Sequence, residues 1–521
     1  MTQLAHDPYL PPAPRQPSDG AEWQVSELKV KAVQLSAVDI PDEILSLVPR
    51  GVAECHGLIP FARRGRNLQV AVSDPLDVEV IDGLSHQLNL EIEVWIASAE
   101  DISLAIKRSY GADIVPVPGE IVEMAAVAGG KGDETIIPLV HDLIREAIRR
   151  RASDIHLEPL ERRFRMRYRI DGVLFEITGP PKHLQPAIIS RVKIMANISI
   201  AEKRIPQDGR IQMTLEGRSL DLRVASLPTA HGESIVMRIL DQRDVRPGLG
   251  ELGFMADDRA RLEQLITLAN GLILVTGPTG SGKTTTLYGC LQQLNRVDRK
   301  IITVEDPVEY QLSGINQVAV RQETGLTFGS ALRAMLRQAP NIVMVGEIRD
   351  RETAEIAFHA SLTGHMVLST LHTNDATGAI SRLADIGVQP FLLSASLRAV
   401  LAQRLVRKNC LHCRRRETPT AAQRSLLGLS PGQAAGATFM RGGGCPACTG
   451  TGFHGRMGIF ELLVLDEEFS QMIHERPVSA RLRALARARG MRSLREDGAR
   501  KVIAGLTTIE EVVSITTVDA C

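Results

Sequence analysis

The residues best equipped for chemistry are Gly277-Pro278-Thr279-Gly280-Ser281-Gly282-Lys283-Thr284, followed by Thr285. The spacing is G-x-x-x-x-G-K-[ST], and it comes directly after the apolar stretch Leu272–Thr276 and before a helical pattern over Thr285–Leu294. Glycines here let successive backbone N–H groups turn inward around phosphate oxygens. The helix start adds the positive end of its dipole. Lys283 can reach the β- and γ-phosphates, and the Thr284 hydroxyl can ligate magnesium. The loop therefore predicts ATP with Mg2+.

Hydrolysis also needs carboxylates beside the loop. The stretch Lys300–Val304 reads as a strand that runs into Glu305-Asp306-Pro307-Val308-Glu309. Another, Ile342–Val345, runs into Gly346-Glu347-Ile348-Arg349-Asp350. Carboxylates at strand ends beside such a loop suit metal coordination and activation of the attacking water. Position 346 is where a standard Walker B motif carries aspartate, and glycine stands there, leaving Glu347 as the acid at the strand end. A fourth apolar stretch, Met366–Leu371, is flanked by His365 and His372. Their spacing fits neither a helical metal pair nor H-E-x-x-H; taken alone each reads as a structural histidine, and their place next in sequence to the Walker B segment strengthens the case for γ-phosphate sensing.

A separate constellation is Cys410-Leu411-His412-Cys413 with Cys445-Pro446-Ala447-Cys448. Four thiolates in two close pairs suit a tetrahedral structural zinc site. The remaining cysteines, Cys55, Cys290 and Cys521, are scattered. With no apolar export stretch near Met1, a disulfide framework is not expected.

The elements that must position these groups can be read in outline. The 521 residues leave room for several domains, and 44% are apolar, enough for sizeable cores. Residues 1–22, rich in proline, are expected to be disordered, and 23–110 to form a small α/β domain. In it Asn67–Val72 reads as a strand, Ser73-Asp74-Pro75 as a turn and Val78–Leu88 as helical. Residues 111–134 have linker composition, 135–241 form a second domain, 242–250 a hinge, and 251–521 the nucleotide domain with a cysteine-bearing insertion at about 405–460. The second domain opens on a helix with Val140, Leu143, Ile144, Ala147 and Ile148 on one face. Strict alternation follows: Phe164, Met166, Tyr168 and Ile170 interleave with Arg163, Arg165, Arg167 and Arg169, ahead of an Asp171-Gly172 turn. That pattern predicts a hairpin with one buried and one basic, solvated face.

Lys plus Arg and Asp plus Glu both number 61, so no net charge points to a polyanion, and no nucleic-acid partner is expected. No apolar run approaches the roughly 20 residues of a membrane-spanning helix, which predicts a cytoplasmic protein.

Together these segments resemble the secretion ATPase superfamily, above all the type II secretion ATPases and the related type IV pilus assembly ATPases. The resemblance rests on the phosphate loop, Thr303–Tyr310, Val345–Asp350 and Gly364–Asn374, in that order. It extends back through Ser153–Pro159, Tyr168–Gly172 and Arg204–Arg210, and covers about residues 135–515. It implies a RecA-like ATPase domain preceded by a PAS-like α+β domain and a small amino-terminal docking domain, with a tetracysteine zinc insertion. Glu309 would activate water, Glu347 would organise magnesium, and Arg223 and Arg238 would swing onto the γ-phosphate as domains close.

The implied function is a hexameric motor that drives pseudopilus assembly in type II secretion, with pilus extension as the alternative. A nucleic-acid motor and a non-hydrolysing ring are the remoter readings. The tetracysteine insertion and Gly452–Leu463 disfavour the pilus retraction branch, which lacks the insertion. The implied partners are an inner-membrane assembly protein, bound through the amino-terminal domain, and an inner-membrane platform protein, which would hold the motor at the membrane from the cytoplasmic side. The amino-terminal domain resembles the type II form around Leu68–Asp77. It shows only one repeat-like half of the paired repeats that bind cyclic di-GMP in pilus-type relatives, so that ligand is not expected.

Overall fold

A computed structural model describes residues 136–516 except 216, 242–246 and 476–478. Between 31 and 109 it describes all but 36, 37, 39, 46, 49–52, 54–56, 74–83, 85–87 and 89. The expected disordered start, the linker at 111–134, most of the helix expected at Val78–Leu88 and the first part of the hinge lie outside these residues. The chain divides into two compact units, Met1–Gly111 and Ala112–Cys521. Among the described residues no helix is long and apolar enough to cross a membrane.

The first unit holds β1 (Lys31–Ala32), β2 (Leu58–Arg64), β3 (Asn67–Val72) and β4 (Glu91–Ile96), in the order β1-β4-β3-β2. β3, the strand expected from sequence, is flanked on both sides and buried from Leu68 to Val72. The helix Ala99–Ser109 buries Ile102, Ala105 and Ile106 in the same core.

In the second unit, the helix Ile136–Arg149 leads into a six-stranded antiparallel sheet. Its strands are β5 (Ala152–Pro159), β6 (Phe164–Ile170), β7 (Val173–Ile177), β8 (Gln207–Leu215), β9 (Arg218–Thr229) and β10 (Gly232–Asp241), ordered β7-β6-β5-β10-β9-β8. Alternation decides the faces, because successive side chains point to opposite sides of a strand. Phe164, Met166, Tyr168 and Ile170 share one core with Leu139, Val140, Leu143 and Ile144 of the helix and with Ile188 and Val192 of the helix Gln185–Met195. Tyr168, wholly buried, donates its hydroxyl to the Leu143 carbonyl at 2.7 Å. The opposite face is basic but not simply solvated. Arg165 and Arg167 both bind Glu158, and Arg169 lies 3.3 Å from Asp154. Register places Arg210, Arg223, Arg238, Asp154 and Arg169 in one row across five strands.

The rest of the chain builds a seven-stranded sheet of β11 (Gly271–Thr276), β12 (Ile301–Glu305), β13 (Asn316–Ala319), β14 (Ile342–Val345), β15 (Met366–Leu371), β16 (Leu397–Asn409) and, past β17 (Arg414–Arg416) and β18 (Met440–Gly442), β19 (Phe453–Val464). The order is β13-β12-β14-β15-β11-β16-β19, parallel except for the last pair. β11 and β15 are buried along their whole length, as expected of parallel strands covered by helices on both faces. One core lies on each side of this sheet. Parallel pairing brings the ends of β11, β12, β14 and β15 to one edge, where the chemistry-bearing loops meet.

β17 and β18 form a two-stranded ribbon beyond β16 and β19 that carries the cysteines. The two domains of this unit touch at the hairpin turn: the Gly455 amide, at the base of this module, donates to Asp171 at 3.0 Å. Asp171 and Gly172 both have positive φ, as the two-residue turn requires.

Candidate nucleotide site and metal centre

The phosphate loop is shaped by its neighbours as well as by its own glycines. The helix begins at Lys283, two residues earlier than the sequence pattern suggests, with Gly282 as its left-handed N-cap. At Gly277, whose φ is +149°, a Cβ would come within 2.5 Å of the Gln403 carbonyl. Gln403, only 1% exposed, donates to the Ser281 carbonyl at 2.6 Å and accepts from the Thr286 hydroxyl at 2.8 Å. It thus joins the loop to the first turn of the helix. Thr276, at the end of β11, shares a 2.7 Å hydroxyl contact with Thr373 and accepts from its amide at 2.9 Å.

Lys283 donates to the Gly277 and Pro278 carbonyls at 2.8 and 3.1 Å. Burial pulls its pKa below the ordinary lysine value; the Glu347 carboxylate opposes this and the Arg404 guanidinium adds to it. Lysine and Glu347 are therefore within electrostatic reach, although 64 positions separate them. The buried Ser281 hydroxyl has no hydrogen-bond partner among the described residues. A loop with a buried donor to spare, a lysine at its mouth and the Thr284 and Thr285 side chains half-buried behind it fits the phosphates of a nucleotide.

The acids arrive from the neighbouring strands. Glu347 forms an ion pair with Arg349 and stands 3.4 Å from His372 Nε2. A Cβ at Gly346 would sit 3.2 Å from the Val304 carbonyl and 3.4 Å from the Glu305 Cα. This tight approach explains why the acid is displaced one residue along. Asp350, at the end of the same motif, caps the helix Arg351–Leu362 by accepting from the Thr353 amide at 2.8 Å. Glu309 is exposed and faces Arg223 Nη2 of the second domain at 3.8 Å. Arg238 lies beside Arg223 in register but is held by Asp154 at 3.1 Å.

The structure does not bring His365 to this edge. It stands before β15, where its Nδ1 meets the Ala360 carbonyl at 2.9 Å at the end of the helix Arg351–Leu362. Seven steps of about 3.3 Å along the strand put it roughly 23 Å from His372. This corrects the pairing of the two histidines as joint phosphate sensors. Sequence reasoning passed over Gln403 and Arg404, which belong to no local motif, and the Thr276–Thr373 tie, which joins two motif segments far apart in the chain. Only the pairing of β16 beside β11 brings Gln403 and Arg404 to the loop.

Cys410, Cys413, Cys445 and Cys448 come together with all four Sγ atoms within 4.8 Å of one another. Individual separations are 3.9 Å for Cys410–Cys445, 3.8 Å for Cys413–Cys448 and 3.7 Å for Cys445–Cys448. Four sulfurs about 2.3 Å from a tetrahedral zinc would lie about 3.8 Å apart, so the set fits that ion and is too wide for disulfides. The Cys445 and Gly452 amides donate to Cys448 Sγ at 3.1 and 3.2 Å. Burial pushes that thiol up, but these amides together with the neighbouring Cys445 and Cys413 thiols outweigh it and bring it to about 7. We expect one zinc per chain by elemental analysis, with Cys448→Ser losing it and exposing the ribbon to proteolysis. A folded preparation free of metal would contradict this.

Residues 130–514 match the family described as Type II/IV secretion system protein, and residues 28–115 match the MshEN domain. The chain is 46% identical over 456 residues to the type II secretion system protein E of Pseudomonas aeruginosa, covering 88% of each chain. It is 43% identical over 507 residues to the type IV pilus assembly ATPase PilB of Myxococcus xanthus, covering 94% of this chain and 89% of that one. The Legionella pneumophila ATPase DotB shares the fold, with a TM-score of 0.53 at 21% identity over 74% of this chain and 95% of that one. The chain belongs to the type II/IV secretion system family, the ATPases of secretion and pilus assembly.

Proposed function

We propose that this chain hydrolyses ATP as one subunit of a homohexameric motor that drives pseudopilus assembly for type II secretion. The observation that carries the reading is Lys283 within electrostatic reach of Glu347 beside the phosphate loop, with Arg223 of the second domain facing Glu309. Lys283 holds the β- and γ-phosphates, and the loop amides and Ser281 surround them. Thr284 and Glu347 would hold magnesium, which supplies charge neutralisation on the phosphate oxygens. Glu309 orients and deprotonates the attacking water. Arg223, now 3.8 Å from Glu309, moves onto the γ-phosphate as the second domain closes. Release of phosphate reopens the pair of domains, and that motion is the stroke.

The second reading, pilus extension, is favoured by the long match to the pilus assembly ATPase. The branch is decided by the partner. The full-length chain is expected to bind the cytoplasmic domain of a type II secretion assembly protein of the inner membrane through residues 23–110, placing the motor at the cytoplasmic face beside the platform protein. Pull-down against that domain and its pilus counterpart distinguishes them. Capture by the pilus protein alone would overturn the secretion assignment.

A further inference from the structure

A buried polar network that the steps above leave unused lies behind Glu309. Glu305, at the end of β12, is only 3% exposed. Its carboxylate accepts from the Tyr288 hydroxyl, from the Thr303 hydroxyl at 2.6 Å and from Gln317 Nε2 at 3.1 Å. Tyr288, wholly buried, belongs to the helix that begins in the phosphate loop. Gln317 lies on β13, and its Nε2 also approaches the Tyr288 hydroxyl at 3.3 Å and the Tyr310 carbonyl at 3.2 Å. Its Oε1 accepts from the Leu312 amide at 2.7 Å. The Tyr288 and Tyr310 rings meet edge to face with centroids 4.6 Å apart.

Three of these contacts fall on the segment 306–315, which runs from β12 to β13 and carries Glu309: Gln317 with the Tyr310 carbonyl, Gln317 with the Leu312 amide, and the Tyr288–Tyr310 ring pair. Tyr310, the residue next to Glu309, is held both through its ring and through its carbonyl. A carboxylate buried this far is costly unless its lone pairs are filled. Here the donors that fill them come from the nucleotide-binding helix, from the adjacent strand β13 and from β12 itself. Burial foremost, then the hydrogen bond to Glu305 and its charge, hold the Tyr288 pKa above the ordinary value, so the tyrosine keeps its proton and donates.

We infer that Glu305, Tyr288 and Gln317 are positioning residues for hydrolysis, fixing the Glu309 backbone to the helix that receives the phosphates. The network touches no reacting atom. Its effect is to keep the water-activating carboxylate in register with the γ-phosphate, where a misplacement of about 1 Å costs on the order of 10²-fold in rate. The inference rests on the proposed role of Glu309.

The test is a double-mutant comparison in the full-length chain, Gln317→Leu alone and in a Glu309→Gln background, read as ATP turnover and as affinity for a magnesium complex of a non-hydrolysable ATP analogue. In the native background Gln317→Leu is expected to lower kcat by about 10- to 100-fold, with nucleotide affinity changed less than about twofold. In the Glu309→Gln background it should have almost no further effect, because a residue acting only through Glu309 has nothing left to position. Tyr288→Phe keeps the ring contact with Tyr310, loses only the hydroxyl, and should repeat the pattern if Gln317→Leu folds poorly. Equal losses of turnover in both backgrounds, or a fall in nucleotide affinity that accounts for the rate, would overturn the inference. A slow Glu309→Gln beside an unimpaired Gln317→Leu and Tyr288→Phe would overturn it alone. An unimpaired Glu309→Gln would remove the proposed role of Glu309 and the inference together.

Discussion

Glu309→Gln should turn over ATP about 10²–10⁴-fold more slowly than the native chain, the range a positioned general base supplies, while binding the nucleotide as before. The substitution keeps the size and shape, and removes the negative charge and with it the basicity, one acceptor oxygen giving way to an amide donor. Glu309 is exposed, and its ion pair is with the half-exposed Arg223, so folding should be intact. Glu305, four residues earlier, is the instructive contrast. It is buried and takes three donors, so Glu305→Gln would disturb packing and rate together. Reduced turnover in the Glu309 variant with unchanged melting behaviour is the expected result of a thermal shift and a phosphate-release assay. Native turnover would move the base to another residue.

Arg223→Ala has the second large effect. An arginine that neutralises charge developing on a transferred phosphoryl group accounts for about 10³–10⁵ in rate, and Arg223 lies on a different domain from the loop it serves. Its present partner is Glu309 at 3.8 Å, the carboxylate assigned to the attacking water, so closure of the domains would hand the guanidinium over to the phosphate. Arg223→Ala should lower kcat by about 10³-fold and leave nucleotide binding to the open form intact. Arg223→Lys should recover part of the loss, since charge returns without the planar fork. Equal rates for Arg223→Ala and the native chain would assign the arginine to the sheet surface alone.

The strands that carry the site were legible because their patterns are local. Asn67–Val72, Ile342–Val345 and Met366–Leu371 are found at the residues expected, and the hairpin at 164–177 follows from alternation and its Asp-Gly turn. Its arginine face was only half legible. Alternation told which residues turn outward but not what they meet: Glu158 lies opposite Arg165 across the β5–β6 hairpin and also takes Arg167, which stands opposite His156. The paired cysteines announced their geometry because a tetrahedral site constrains spacing in sequence as well as in space.

What escaped the sequence depends on topology. His365 and His372 look equivalent beside their strand, yet a parallel sheet gathers chemistry at one end of its strands, and only His372 is there. Gln403 shapes the phosphate loop from more than a hundred residues away, and it does so because β16 pairs with β11. Gln317 and Tyr288 are ordinary residues of a strand and a helix until the sheet order sets them around Glu305. Side chains that position others carry no motif of their own.

The central claim is that the terminal phosphates of ATP sit in the loop 277–284 under Lys283. Titration calorimetry of the folded full-length chain with Mg-ATP, beside Lys283→Ala, tests it directly. Saturable binding by the native chain that is lost in the variant is the predicted result; no measurable affinity in the native chain, or equal affinity in both, would contradict it.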